Sequence, residues 1–194
     1  MNEIERQKKV IDMMITSHSV LKDRYSRASS LFEVSLLVAS IILNALIFVD
    51  SKFITKFTGA NDDQQKLITG IATLIIFTIS VVLLQVNWKE KSSSHGIAAD
   101  QLFELKQECK TIISLPAEQD KLLIINEFNK KYTQITGMLI KIPDRKFNSL
   151  KLIHAKKVEL SKLIDRYPGS FLWILKLKLF VSSFKSKNNT YGHI

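Results

Sequence analysis

The chain of 194 residues is 46% hydrophobic and 24% charged, with a mean hydropathy of +0.07 and 28 Lys+Arg against 18 Asp+Glu, a net charge of +10. So many charges should pull the hydropathy well below zero, so the apolar residues are concentrated, in one ordinary domain or in a small domain with a membrane element. Six Gly and three Pro exclude collagen-like, disordered and turn-rich all-β chains, and the single Cys109 excludes an intrachain disulfide or a multi-Cys zinc site. The positive excess implies anionic neighbours, either lipid head groups or nucleotides and nucleic acid.

Residues 3–32 are predicted as a helix that runs into an apolar segment. Ile11, Met14, His18, Leu21, Tyr25, Ala28 and Phe32 recur at spacings of three and four, a narrow stripe suited to a partner helix. From Val34 to Val49 the chain is free of charge for 16 residues, or 19 from Leu31 with Glu33 near one margin. Alone, that run also fits a buried core helix. Between Lys66 and Lys89 lie 22 consecutive uncharged residues, and Leu67 to Val86 matches the roughly 20 helical residues that cross a bilayer core. Gln85, Asn87 and Trp88 close this run, with Trp88 suited to the head-group region. Together the two runs predict transmembrane helices at about 31–50 and 67–87, joined by the Asp50–Lys66 connection, whose three Lys and three Asp cancel.

Residues 1–30 carry six Lys/Arg and four acids, and residues 87–194 carry nineteen and ten, which places both termini on the cytoplasmic side. The bias nearly vanishes when only the immediate flanks are counted. The first thirty residues hold no apolar signal core, so insertion through the chain's own spans is expected.

After the second span a stripe returns at His95, Ala98, Leu102, Leu105, Cys109 and Ile112, and should face the N-terminal one. Pro116 ends this helix. A third amphipathic segment, about 117–139, places Leu122, Ile125, Phe128, Tyr132, Ile135 and Leu139 on one side, with Gly137 and Pro143 at its end. Asp144 is the expected N-cap of a fourth helix reaching about Tyr167, with Phe147, Leu150, Ile153, Leu160, Leu163 and Ile164 as its apolar positions. Pro168-Gly169 breaks the chain again. Residues 170–184, SFLWILKLKLFVSSF, are short for a span, and Lys176 and Lys178 would each cost about 2.5–3.5 kcal/mol at a bilayer centre. An interfacial amphipathic helix is the preferred reading; packing on the cytoplasmic helices and a third span stay open. The fold class expected is thus an all-α membrane protein, a two-transmembrane helical hairpin with long cytoplasmic helical extensions.

No phosphate loop, dinucleotide fingerprint, nucleophile elbow or pair of His at metal-ligand spacing is present, so no enzyme, metal or cofactor is expected. His18, His95, His154 and His193 are scattered, and Cys109 lies on the helical stripe as a small core residue rather than an activated nucleophile. Polar residues in the spans are more informative. Glu33, Ser40 and Asn44 share one face of the first, and Thr69, Thr73, Ser80 and Asn87 one face of the second. Such faces point to protein or water rather than lipid, through helix packing first and a pore lining in a multimer second. Gly70 offers a close crossing point. The basic residues Lys130, Lys131, Arg145, Lys146, Lys151, Lys156, Lys157 and Lys162 are a solvated face or a surface held near anionic lipid, with specific anion binding as the sharper alternative. No aromatic interleaving supports specific DNA binding.

From Trp88 to Glu108 the chain reads WKEKSSSHGIAADQLFELKQE. This segment, directly after a second span, resembles the SLATT family of two-transmembrane effector domains that accompany bacterial nucleotide-signalling and conflict systems. The matching positions are Trp88, Lys91, His95, Ala98, Ala99, Leu102 and Leu105, and the three serines Ser92–Ser94 stand where the family has a more basic, alanine-rich segment. The resemblance covers residues 3–115. It implies a domain over 1–115 followed by a helical extension, which the residues divide into a cytoplasmic helical part over 116–167 and an interfacial amphipathic segment and tail over 168–194. It further implies an antiviral, self-killing effector in the bacterial inner membrane. Such an effector forms homo-oligomers that permeabilise the bilayer on a signal from a cyclic nucleotide, a nucleotide synthase or a reverse transcriptase. A membrane-anchored adaptor recruiting a soluble partner is the alternative.

Overall fold

The computed structural model describes residues 3–48, 61–116 and 121–190, and all of their regular structure is helical. Helix α1 spans Glu3–Phe48, α2 Asp62–Val86, α3 Trp88–Ser114, α4 Lys121–Met138, α5 Asp144–Arg166 and α6 Leu172–Thr190. The expected connection Asp50–Lys66 lies outside the described residues over 50–60, as do 117–120 at the expected start of the third amphipathic segment and His193.

The local causes are simple. Helix α1 runs 46 residues with neither Gly nor Pro, and opens with Glu3 and Glu5 at the positive end of its dipole. Helix α2 starts five residues ahead of Leu67 because Asn61 caps it: the Gln64 side-chain oxygen accepts the Asn61 N–H at 3.2 Å. One sequence expectation is corrected at α5. Its N-cap is Pro143, extended at φ −60° and ψ 129°, and Asp144 is the first helical residue. There the Asp144 carboxylate meets the helix dipole instead of capping it.

The chain divides into two compact units, Ser19–Ala98 and the combination of Met1–His18 with Ala99–Ile194. In the latter, Ile4, Ile11, Leu102, Leu105, Cys109, Ile112 and Phe128 form the core, with Met14, Ile15, Ile125, Tyr132, Ile135 and Leu139 packed against it. Leu102 and Leu105 lose all solvent contact, each worth about 1.5–3 kcal/mol of apolar transfer. Leu122, expected on the buried side, is instead 72% exposed. Ile124 lines the face shared with Ile112, Leu115 and Phe128, and two residues separate positions by about 200° around a helix, so Leu122 turns outward.

Polar contacts tie these helices in register. Lys106 Nζ meets the Asp12 carboxylate at 2.5 Å, Lys131 pairs with Glu108, and Gln7 Nε2 donates to Asn129 Oδ1 at 3.0 Å. Thr16 is buried and donates its hydroxyl to the Asp12 carbonyl at 3.0 Å, and His154 Nδ1 lies 3.0 Å from the Thr16 Oγ1. Helices α5 and α6 pack on one another. Leu150 and Leu175 are buried, Ile153, Leu160 and Leu163 are half-buried, and Phe147 and Ile164 fall on the exposed margins.

The Ser19–Ala98 unit is built differently. Leu21, Ser92, His95 and Ala98 are buried where α1 and α3 meet, but from Val34 to Ile47 and from Leu67 to Val86 no side chain is buried. Two helical stretches, Glu3–Ile47 and Asp63–Ser114, are long and apolar enough to cross a membrane.

Candidate functional site

The segment after the second apolar helix is organised by Asn87. It has the left-handed conformation φ 48°, ψ 52° that Asn tolerates better than most residues, and its N–H bonds the Leu83 carbonyl at 3.3 Å to close α2. The Asn87 carbonyl then accepts from Lys91 N–H at 3.2 Å, its Oδ1 lies 3.4 Å from the Glu90 N–H, and its Nδ2 donates to the Glu90 carboxylate. One residue ends a helix and starts the next. The second apolar helix ends at Val86, within the expected 67–87, and Asn87, expected on its polar face, is instead the cap that follows it. The N-x-x-E pattern of Asn87 and Glu90, a capping-box spacing, was the signal for the break.

Beyond that break the motif positions meet α1 within the same unit. The Trp88 and Phe32 rings sit 4.9 Å apart at 44°, and the His95 and Tyr25 rings stack at 5.6 Å and 2°. The buried Ser92 hydroxyl donates to the Lys22 carbonyl at 3.0 Å, an interhelical bond. Lys91 is exposed. Gly96 lies under the Lys22 side chain, whose Cδ and Cε would sit 3.5 Å from an added Cβ. In the other unit Ala99, Leu102 and Leu105 are buried.

Glu33 is exposed and accepts the Ser29 hydroxyl at 2.7 Å. It lines a polar hollow of about 300 Å³ with Ser26, Ser29, Ser30, Lys89, Ser92 and Ser93, just outside the apolar stretch. Ser40 is half-buried and Asn44 exposed. On α2, Thr73 donates to the Thr69 carbonyl at 2.8 Å and Ser80 to the Ile76 carbonyl at 2.9 Å, as Thr78 does to Leu74 at 2.8 Å. These hydroxyls are satisfied inside their own helix rather than across to another. Gly70 meets nothing within 4 Å of a built Cβ, so within this chain it is not the crossing point expected of it.

The candidate anion-binding residues separate. Lys131 is neutralised by Glu108, Lys162 pairs with Glu159 at 2.8 Å, and Lys130 borders a shallow polar surface with Asn126 and Asn129. Arg145 is exposed and Lys146 half-buried at the start of α5. Lys156 and Lys157 converge, together with Lys176 of α6. The Lys178 ammonium stands 4.2 Å from the centre of the Tyr167 ring, and a hydrogen bond from Lys178, then its positive charge, lowers the pKa of the Tyr167 phenol. Burial pushes the Cys109 thiol up to about 11, keeping it protonated and unreactive at neutral pH.

A scan of protein-family models, a search of curated proteins and a search of solved structures each return no match for this chain.

Proposed function

We propose that this chain is a bacterial inner-membrane effector whose α1 and α2 cross the bilayer as a hairpin, with both termini in the cytoplasm. It assembles into homo-oligomers and permeabilises the membrane on a nucleotide-type or partner signal. The observation that carries the membrane reading is the exposure of every side chain from Val34 to Ile47 and Leu67 to Val86 to at least half-buried level, with none enclosed by the protein. Covering so large an apolar surface calls for lipid or further copies of the chain. The likeness of Trp88–Leu105 to the SLATT segment supports the effector reading. A signal acts on such an assembly only through different affinities for its closed and open forms, and the cytoplasmic helices are where it would bind. Dye release from liposomes holding purified protein tests the proposal: leakage that rises on activation supports it, and a protein that inserts yet never leaks overturns it.

A membrane-anchored adaptor is the second reading. It is favoured by the hydroxyls of Thr73, Thr78 and Ser80, which already bond their own helix and so require no water path. Replacing Ser40, Asn44, Thr73 and Ser80 by Leu abolishes leakage in a pore but leaves partner binding intact in an adaptor.

A further inference from the structure

Helix α6 turns its buried line, centred on Leu175, toward α5. At about 100° per residue, Trp173, Leu177 and Val181 lie opposite that line, with Ile174 and Phe180 at their sides. Trp173 is 66% exposed, Phe180 59%, and Leu177 and Val181 56% each. Lys176 and Lys178, about 200° apart, border this apolar strip on its two sides. Beside it, Lys156, Lys157 and Lys176 surround a cleft of about 330 Å³ whose remaining lining is Leu160, Leu179 and Phe180. Among the described residues the lining of this cleft has three lysines and no acid.

We propose that the α5–α6 face docks on a bilayer containing anionic phospholipid, with a headgroup phosphate seated in the Lys156–Lys157–Lys176 cleft and Trp173, Leu177 and Val181 dipped into the acyl boundary. Charge complementarity selects the occupant. A soluble anion would satisfy the ammonium groups but leave the apolar strip in water. A zwitterionic surface would cover the strip while adding a positive group to a site that already holds three. An anionic amphiphile meets both demands, since lysine stems lie along apolar surface while their heads reach the phosphate layer. This contact is additional to the two spans and does not require that the protein form a pore.

The test uses the full chain with Trp88→Phe, which preserves an aromatic partner for Phe32 and leaves Trp173 as the single tryptophan. The protein is placed in nanodiscs of phosphatidylcholine, with or without phosphatidylglycerol, carrying acyl-brominated lipid. Trp173 emission shifts to the blue and is quenched in the anionic discs, and stays near its aqueous value in the zwitterionic ones. Combined Lys156→Gln, Lys157→Gln and Lys176→Gln returns quenching to the zwitterionic level, whereas Arg at the same three positions retains it, which separates loss of charge from loss of fold. Equal quenching in both lipids, or quenching that survives the Gln variant, overturns the proposal. So does its abolition by inorganic phosphate at matched ionic strength, which assigns the cleft to a soluble anion. Resistance to carbonate extraction reports the two spans separately. If extraction removes the protein, the span reading fails, and the same quenching measured with added vesicles still decides the role of α6.

Discussion

The imidazole of His95 lies parallel to the ring of Tyr25, centroids 5.6 Å apart and planes within 2°. Their positions, 70 residues apart in sequence, belong to the two stripes that border the apolar helices. Aromatic pairs of this kind add about 0.5–1.5 kcal/mol beyond the area they bury. A double-mutant cycle with Tyr25→Leu and His95→Leu, read from thermal unfolding in detergent, should give a coupling of about 1 kcal/mol. A coupling near zero would reduce the stack to adjacency.

Leu105→Ala removes a fully enclosed side chain from the core around Cys109 and should cost about 2–5 kcal/mol. Leu122→Ala, at a position 72% exposed, should stay within about 0.5 kcal/mol. Denaturant midpoints of the two variants check the contrast, and equal losses would mean that Leu122 has a partner outside this chain.

Cys109 provides a pH signature. Its thiol pKa is raised from 9.0 to about 11, chiefly by burial. Between those values the unfolded chain has released the proton that the folded chain still holds, so this contribution to stability is complete below pH 9 and is lost as pH rises toward 11. Alkylation at pH 8 should be slow in the native protein and fast in denaturant, and urea stability should fall from pH 9 to 11. Cys109→Ala should flatten that slope.

Leu74 on α2 is 65% exposed and Leu123 on α4 64%. If α2 is a span, Leu74→Arg costs about 2.5–3.5 kcal/mol of insertion and lowers the carbonate-resistant fraction, while Leu123→Arg leaves it unchanged. Equal behaviour would argue against a membrane position for α2.

Thr73→Val and Ser80→Ala remove hydroxyls that bond only their own helix, at 2.8 and 2.9 Å. Stability in detergent should move by less than about 0.5 kcal/mol. A change in dye release without a change in unfolding would assign these side chains to a conducting path.

Much of this architecture is legible in the order of residues alone. The charge-free runs, the three-four spacing of Ile11 to Leu21 and the spacing of His95 to Ile112 mark where the helices are and which sides close, because a helix repeats every 3.6 residues whatever surrounds it. Of the second stripe, every member is buried. The opening contrast between hydropathy and charge has the same origin: the apolar residues are gathered in two helical stretches and the positive charge lies mainly after them. Periodicity does not say where a helix stops or which lysines meet. Asn87 caps the second apolar helix rather than extending its polar face, Pro143 takes the capping place of Asp144, and Leu122 turns outward. Lys156 and Lys157 converge with Lys176, while Lys131 is neutralised by Glu108. Those outcomes depend on left-handed backbone geometry and on contacts between residues distant in sequence, which only the folded chain brings within reach of one another.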